Sequence, residues 1–200
     1  MHHMFRTALV LTLSLAAFAV AQEKPSFSVW GGFGAGLSSI ERQFNHSSLY
    51  YYAGLTYHGI FLKAAWDDNH EMAVLMPFHK DPPETAESRS LLLGFNLRLW
   101  SPPPSDSASD GRSLVLNAAA GMSRYSGVLR GAELPGVNGR NLFSYEPVSW
   151  SGTGVPIEVE LEYRTDRTFG ITAGYYVYSN VHIPYHAIRV GCRVNLYTAP

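Results

Sequence analysis

The sequence predicts an all-β chain, an up-and-down antiparallel β-barrel of about eight strands following an N-terminal export signal. Three observations carry this. Apolar residues recur at every second position through most of the chain, as they do in Gly154 to Tyr178, GVPIEVELEYRTDRTFGITAGYYVY. There Val155, Ile157, Val159, Leu161 and Tyr163 alternate with Glu158, Glu160, Glu162 and Arg164, and after Thr165-Asp166-Arg167 the alternation resumes with Phe169, Ile171, Ala173, Tyr175 and Val177. A period of two means strands, and a three-residue polar break between them means a hairpin. No segment beyond the export signal reads as a helix, and the connections alternate between short and long.

Taken in order, Met1 to Ala21 is a signal peptide: Arg6 is its positive region, Ala8 to Val20 its apolar stretch, and Ala19-Val20-Ala21 its cleavage site. The mature chain is expected to begin at Gln22, and 22–200 to form one barrel domain. The strands are expected at 26–38, 48–57, 60–67, 90–100, 113–123, 154–165, 167–178 and 186–197. Their apolar faces carry, for example, Phe27, Val29, Phe33, Ala35 and Leu37 in the first, Leu91, Leu93, Phe95, Leu97 and Leu99 in the fourth, and Ile188, Val190, Cys192, Val194 and Leu196 in the last. His58-Gly59 and Thr165-Asp166-Arg167 are short turns, whereas the links from strand one to two, three to four and five to six are long. SPPPSDSASDGR, between strands four and five, is long and proline-rich on what should be a short side.

Two hundred residues with 46% hydrophobic content suffice for a single domain, and a net charge of −1 argues against a nucleic-acid surface. The one cysteine, Cys192, lies in an alternating strand, is read as a small buried residue, and leaves no internal disulfide. After the signal no stretch approaches the roughly 18 apolar residues of a membrane-spanning helix.

Two kinds of barrel produce this alternation, and they invert it. A soluble periplasmic carrier of an apolar ligand would turn the apolar face into its cavity. A transmembrane barrel turns that face to lipid and the glutamates into its lumen. The second is favoured by the glycines of the polar face (Gly32, Gly34, Gly36, Gly54, Gly94, Gly121, Gly170, Gly174, Gly191), which relieve crowding in a narrow interior. It is favoured also by aromatics towards strand ends: Trp30, Trp66, Trp100, Tyr57, Tyr163, Tyr178 and Tyr197 are read as an interfacial girdle. Charges in a narrow lumen must be paired. Glu158, Glu160 and Glu162 are therefore expected to meet Lys63, Arg98, Arg189 and Arg193, with Asp67 on the same parity, in a network that fills the barrel.

On these features the chain resembles the small eight-stranded outer-membrane β-barrels, of the type of the OmpA transmembrane domain and OmpX, over roughly Ser26 to Tyr197. Its C-terminal part also looks like that of uncharacterised outer-membrane proteins of Bacteroidota-like bacteria, a likeness that implies no activity. The last strand looks like the barrel-assembly signal of that architecture, with Arg189, Gly191, Val194 and Leu196 at its marked positions; Leu196 departs from the usual aromatic, and Thr198-Ala199-Pro200 follow Tyr197. The resemblance implies residence in the cell outer membrane, contact with its lipid and with the barrel-assembly machinery, and a structural or surface-interaction role with a surface or periplasmic partner of unknown identity. Neither nucleic acid nor a cofactor is expected.

A divergent lipid A acyl hydrolase is the enzymatic alternative. Those enzymes carry His-x-Ser-Asn on a late strand. Here Val177-Tyr178-Ser179-Asn180 lacks the histidine, and a serine without a base is a poor nucleophile, so no catalytic residue is assigned. His182 and His186 flank Pro184, which excludes the helical presentation of a zinc pair. Asp67, Asp68, Glu71, Asp81, Glu84 and Glu87 are read as a solvated acidic loop rather than a calcium site, and Met72 to Phe78 as an apolar segment that extends a strand or meets a partner.

Overall fold

The computed structural model describes residues 26–40, 43–71, 84–102, 111–134, 145–179 and 185–199. The expected signal peptide, Met72 to Phe78, Asp81, Asn180 and His182 lie outside the described residues, as does most of SPPPSDSASDGR. Eight strands follow one another in chain order: β1 (Phe27–Ile40), β2 (Gln43–Tyr57), β3 (Ile60–Glu71), β4 (Thr85–Trp100), β5 (Ser113–Glu133), β6 (Tyr145–Arg164), β7 (Phe169–Ser179) and β8 (Tyr185–Ala199). Each pairs antiparallel with the next, and β8 pairs with β1 to close the barrel. Closure leaves no sheet edge with unpaired backbone groups.

The short turns have identifiable chemistry. His58 and Gly59 both take positive φ, 50° and 77°, the backbone of a two-residue hairpin turn whose twist matches its flanking strands. Between β6 and β7, Asp166 Oδ1 accepts the N–H of Thr168 at 2.6 Å and of Phe169 at 2.8 Å. Those two donors hold the exposed Asp166 carboxyl below its ordinary range.

The apolar face points outward. Met122 is 75% exposed, Leu196 70% and Phe33 66%, and Leu49, Leu93, Val155, Ile188 and Val190 are likewise exposed. A carrier of an apolar ligand needs that face inside, so the soluble-carrier reading fails on geometry. From Leu114 to Met122, β5 advances about 26 Å; at a tilt of about 40° it crosses roughly 20 Å, close to the apolar band of a membrane barrel.

Several expectations are corrected. β5 and β6 run well past their expected ends, pairing through Ser126↔Ser151, Val128↔Ser149 and Arg130↔Pro147, so the region expected as one long loop is largely a protruding ribbon. Alternation fades there because serine, threonine and arginine replace the apolar residues of the outward face, as suits strand outside an apolar band. Trp30 and Tyr178 are not girdle residues: both are buried on the inward face. Cys192 faces outward beside Ile171 and Phe33 and is half-buried rather than buried. Asp67, read both on the inward parity of the third strand and in the acidic loop, lies inside β3 and is buried, so the loop reading fails for it.

Candidate functional site: the barrel interior

The inward face is where this chain concentrates its charge. Starting at the end with the short turns, Glu162 on β6 accepts from two arginines, Arg164 Nε at 3.0 Å and Arg193 Nη1 at 3.1 Å. Asn117 on β5 donates to Glu162 at 3.2 Å and to Glu160 at 3.1 Å, joining the two carboxylates through one amide. Lys63 on β3 then bridges the next pair, 3.8 Å from Glu160 and 2.5 Å from Glu158. Arg189 on β8 continues the chain, 3.5 Å from Glu158 and 2.6 Å from Asp67. Its contact with Asp67 is close but poorly aligned, an ion pair rather than a hydrogen bond. Ser88 donates to the other Asp67 oxygen at 3.0 Å.

Four carboxylates (Asp67, Glu158, Glu160, Glu162) are thus matched by four cations (Lys63, Arg164, Arg189, Arg193), and the sequence of contacts has no net charge. Adjacent rings shield the cations further: Arg193 lies 3.9 Å from the Trp30 ring, Arg189 3.9 Å from Tyr176, and Lys63 4.1 Å from Tyr52. Desolvated cation–π contacts of this kind are worth about 2 kcal/mol each. The glycines give these rings room. A Cβ on Gly54 would come within 2.5 Å of the Trp30 ring, and one on Gly34 or Gly191 within 2.6 Å of Tyr50.

Towards the long-loop end the filling turns aromatic. Tyr125 packs against Tyr178 at 4.7 Å and Tyr185 at 5.0 Å, and stacks on Trp150 at 5.4 Å. Tyr185 donates to Asn69 at 2.7 Å, and the hydroxyls of Tyr176 and Ser90 lie 2.9 Å apart. Above this layer Arg130 Nη2 meets Glu71 at 2.6 Å. His46 Nε2 lies 3.5 Å from Glu84. The nearby His46 imidazole, with the Arg130 N–H adding to it against the effect of burial, holds the Glu84 carboxyl below its ordinary range.

The backbone arrangement, a closed ring of eight antiparallel strands, has solved counterparts. The N-terminal β-barrel domain of Pseudomonas aeruginosa OprF superposes with a TM-score of 0.55 at 13% identity, covering 88% of this chain and 100% of that one. Neisserial surface protein A gives 0.53 at 14% identity over 86% and 100%. The attachment invasion locus protein Ail of Yersinia pestis, in complex with the heparin analogue sucrose octasulfate, gives 0.53 at 10% identity over 87% and 100%. The fold is that of the small eight-stranded outer-membrane β-barrels. No protein-family model and no curated protein sequence matches the chain.

Within this outer-membrane barrel fold, Lys63, Glu158, Glu160, Glu162, Arg189 and Arg193 come together inside. Arg98 does not join them. It is exposed at the short-turn end of β4, where a register shift between Arg98 and Trp100 ends the regular alternation and Asn96 is the last buried inward residue. Arg164 supplies the contact instead; its signal in the sequence was its parity, two residues beyond Glu162. The tyrosine layer and the Glu71–Arg130 pair were also missed, because a tyrosine on either face of a strand satisfies an alternation pattern.

Of the residues at the barrel-assembly positions, Arg189 is buried and ion-paired, Gly191 lies close to the Gly34 backbone and the Tyr50 hydroxyl, and Val194 and Leu196 belong to the outward face. The acidic set expected in a loop is dispersed. Asp67 is inside, Glu71 and Glu84 cap the interior, and Asp68 and Glu87 face one another across β3 and β4 on the outer wall. Among the described residues no cluster of three or more metal-ligating side chains occurs. His186 is engaged by the Tyr175 hydroxyl at 2.5 Å.

Proposed function

We propose that this chain is an outer-membrane β-barrel whose charged, packed lumen serves as a rigid and non-conducting scaffold, with no catalytic role. The observation that carries the reading is the inversion of a soluble core: large apolar side chains form the outer wall, while eight charged groups are paired inside. In water the exposed band would be an extended hydrophobic patch; in a bilayer it is matched to its solvent. Each interior carboxylate has a cationic partner, so none stands available as a general base, and paired side chains that meet across the lumen obstruct passage of ions.

The scaffold holds up its long-loop end, above all the β5–β6 ribbon, and that is the surface we assign to interaction with a partner. Residues 1–21 fit an export signal removed before Gln22. The β8 pattern at Arg189, Gly191, Val194 and Leu196 fits delivery by the barrel-assembly machinery.

Fractionation of Gram-negative cells expressing the full chain tests this. The mature chain is expected in the outer-membrane fraction, extracted only by detergent, and without steady conductance after reconstitution into planar bilayers. Recovery from the soluble periplasm would defeat the membrane reading, and stable open channels would defeat the sealed lumen. A serine hydrolase reading makes the contrary prediction of fatty-acid release from lipid A that is lost in Ser179→Ala.

A further inference from the structure

On the outer wall, the row of register partners Tyr51↔Trp66, Trp66↔Arg89, Arg89↔Arg124 and Arg124↔Thr153 runs laterally across five strands. All five side chains are on the outward face. The rung on the short-turn side of this row is apolar, with Leu91 54% and Met122 75% exposed. The rung on the long-loop side carries Asp68 directly opposite Glu87. Like charge therefore meets like charge twice: two arginines side by side at the border of the apolar band, and two carboxylates one rung further out.

Like charges directly opposite one another destabilise a sheet. If these four residues existed to neutralise each other, a register with opposite signs across the strands would serve better. Among the described residues no ion pair joins Arg89 or Arg124 to any carboxylate. An arginine that merely extends its charge towards water needs no like-charged neighbour. What two adjacent guanidinium groups at this depth do fit is a shared anion, since each presents a planar fork of donors to phosphate oxygens. Beside the rung of Leu91 and Met122, the anion at hand is the headgroup phosphate of a lipid whose chains lie along that wall. Trp66, stacked on Tyr51 at 5.6 Å, closes one side of the site with an amphipathic ring suited to the interface.

We infer that Arg89 and Arg124 form a binding site on the barrel's outer wall for the phosphate group of a membrane lipid in the leaflet on the long-loop side. The inference rests on the reading that this wall faces lipid. The two are separated by first measuring insertion of the mature wild-type chain and of the Arg89→Gln/Arg124→Gln variant into phosphatidylcholine vesicles, read by protection from protease. Both are expected to insert. Failure of the wild type to insert would overturn the membrane reading and the site with it.

Lipid adducts are then measured by native mass spectrometry in a maltoside detergent, which has no phosphate, with three probes: phosphatidic acid, diacylglycerol of the same chains, and inorganic phosphate. Phosphatidic acid is expected to bind the wild type at least tenfold more tightly than the double variant, with each single variant intermediate. Arg167→Gln, an exposed arginine at the opposite end, should bind as the wild type does. Diacylglycerol and inorganic phosphate should bind at least tenfold more weakly than phosphatidic acid. Equal binding of phosphatidic acid by wild type and double variant, or an equal loss in Arg167→Gln, would overturn the site. Inorganic phosphate binding as tightly as phosphatidic acid would make it a free-ion site and overturn the lipid assignment.

Discussion

Replacing Glu162 by leucine removes the carboxylate that Arg164 and Arg193 share, at 3.0 and 3.1 Å. Arg164 stands at the end of β6, half-buried, and can turn towards water. Arg193 is buried, lies over Trp30, and has no other carboxylate within ion-pair distance among the described residues. Leaving such a charge uncompensated costs about 3 to 5 kcal/mol. Glu160→Leu is the informative contrast. Lys63 keeps Glu158 at 2.5 Å and Asn117 keeps Glu162 at 3.2 Å, so this variant loses one long ionic contact and one hydrogen bond, about 1 to 3 kcal/mol.

The assay is reversible urea unfolding of the chain folded into lipid, monitored by tryptophan fluorescence. Glu162→Leu is expected to be the more damaging single change by about 2 kcal/mol. Glu162→Leu/Arg193→Met should recover at least about 1 kcal/mol relative to the sum of its single changes, as coupled neighbours do. A loss below about 1 kcal/mol for Glu162→Leu, as for a solvated pair, or strict additivity with Arg193→Met, would refute the reasoning.

Val159 lies in the apolar band, so Val159→Lys should cost about 2 to 4 kcal/mol in the same unfolding assay, whereas Ser151→Lys, on the same face in the protruding ribbon, should change stability by less than about 0.5 kcal/mol. Asp166 has a folded pKa below its unfolded value of about 3.9. Its contribution is therefore present above about pH 4 and lost as pH falls through the folded pKa, and the stability gap between wild type and Asp166→Asn should narrow over that range; a gap that widened on acidification would contradict the turn chemistry. If the short turns face the periplasm, an impermeant thiol reagent on intact cells should label Ala132→Cys and not Asp166→Cys in a Cys192→Ser background, and the opposite pattern would reverse the orientation.

The face of each strand was legible in the sequence, whereas height along the barrel was not. A period of two divides residues between wall and lumen, and it placed Lys63, Glu158, Glu160, Glu162, Arg189 and Arg193 on one side. It does not say how far along the axis each one sits, because height follows from register, and register depends on turn lengths and bulges that alternation does not encode. Arg98 shows this: its parity is that of the interior, but β4 reaches the rim before it. Trp30 shows the converse. Its position towards a strand end suggested the interface, while its parity, shared with Gly32 and Gly34, turns it inward under Arg193. The extra length of β5 and β6 was hidden because outside the apolar band neither face of a strand needs to be apolar, so the pattern that announces a strand ceases while the backbone pairing continues.

The claim on which everything else depends is that the outward face lies against acyl chains. Ala53, Ala118 and Ala173 sit on that face in β2, β5 and β7, and each is small enough to be replaced by a labelled cysteine without disturbing the interior. With a fluorophore at each position in a Cys192→Ser background, and the protein reconstituted into vesicles, lipids brominated on the acyl chain should quench all three, and aqueous iodide should quench none. Quenching by iodide with no effect of the brominated lipids would place the apolar wall in water and contradict the account.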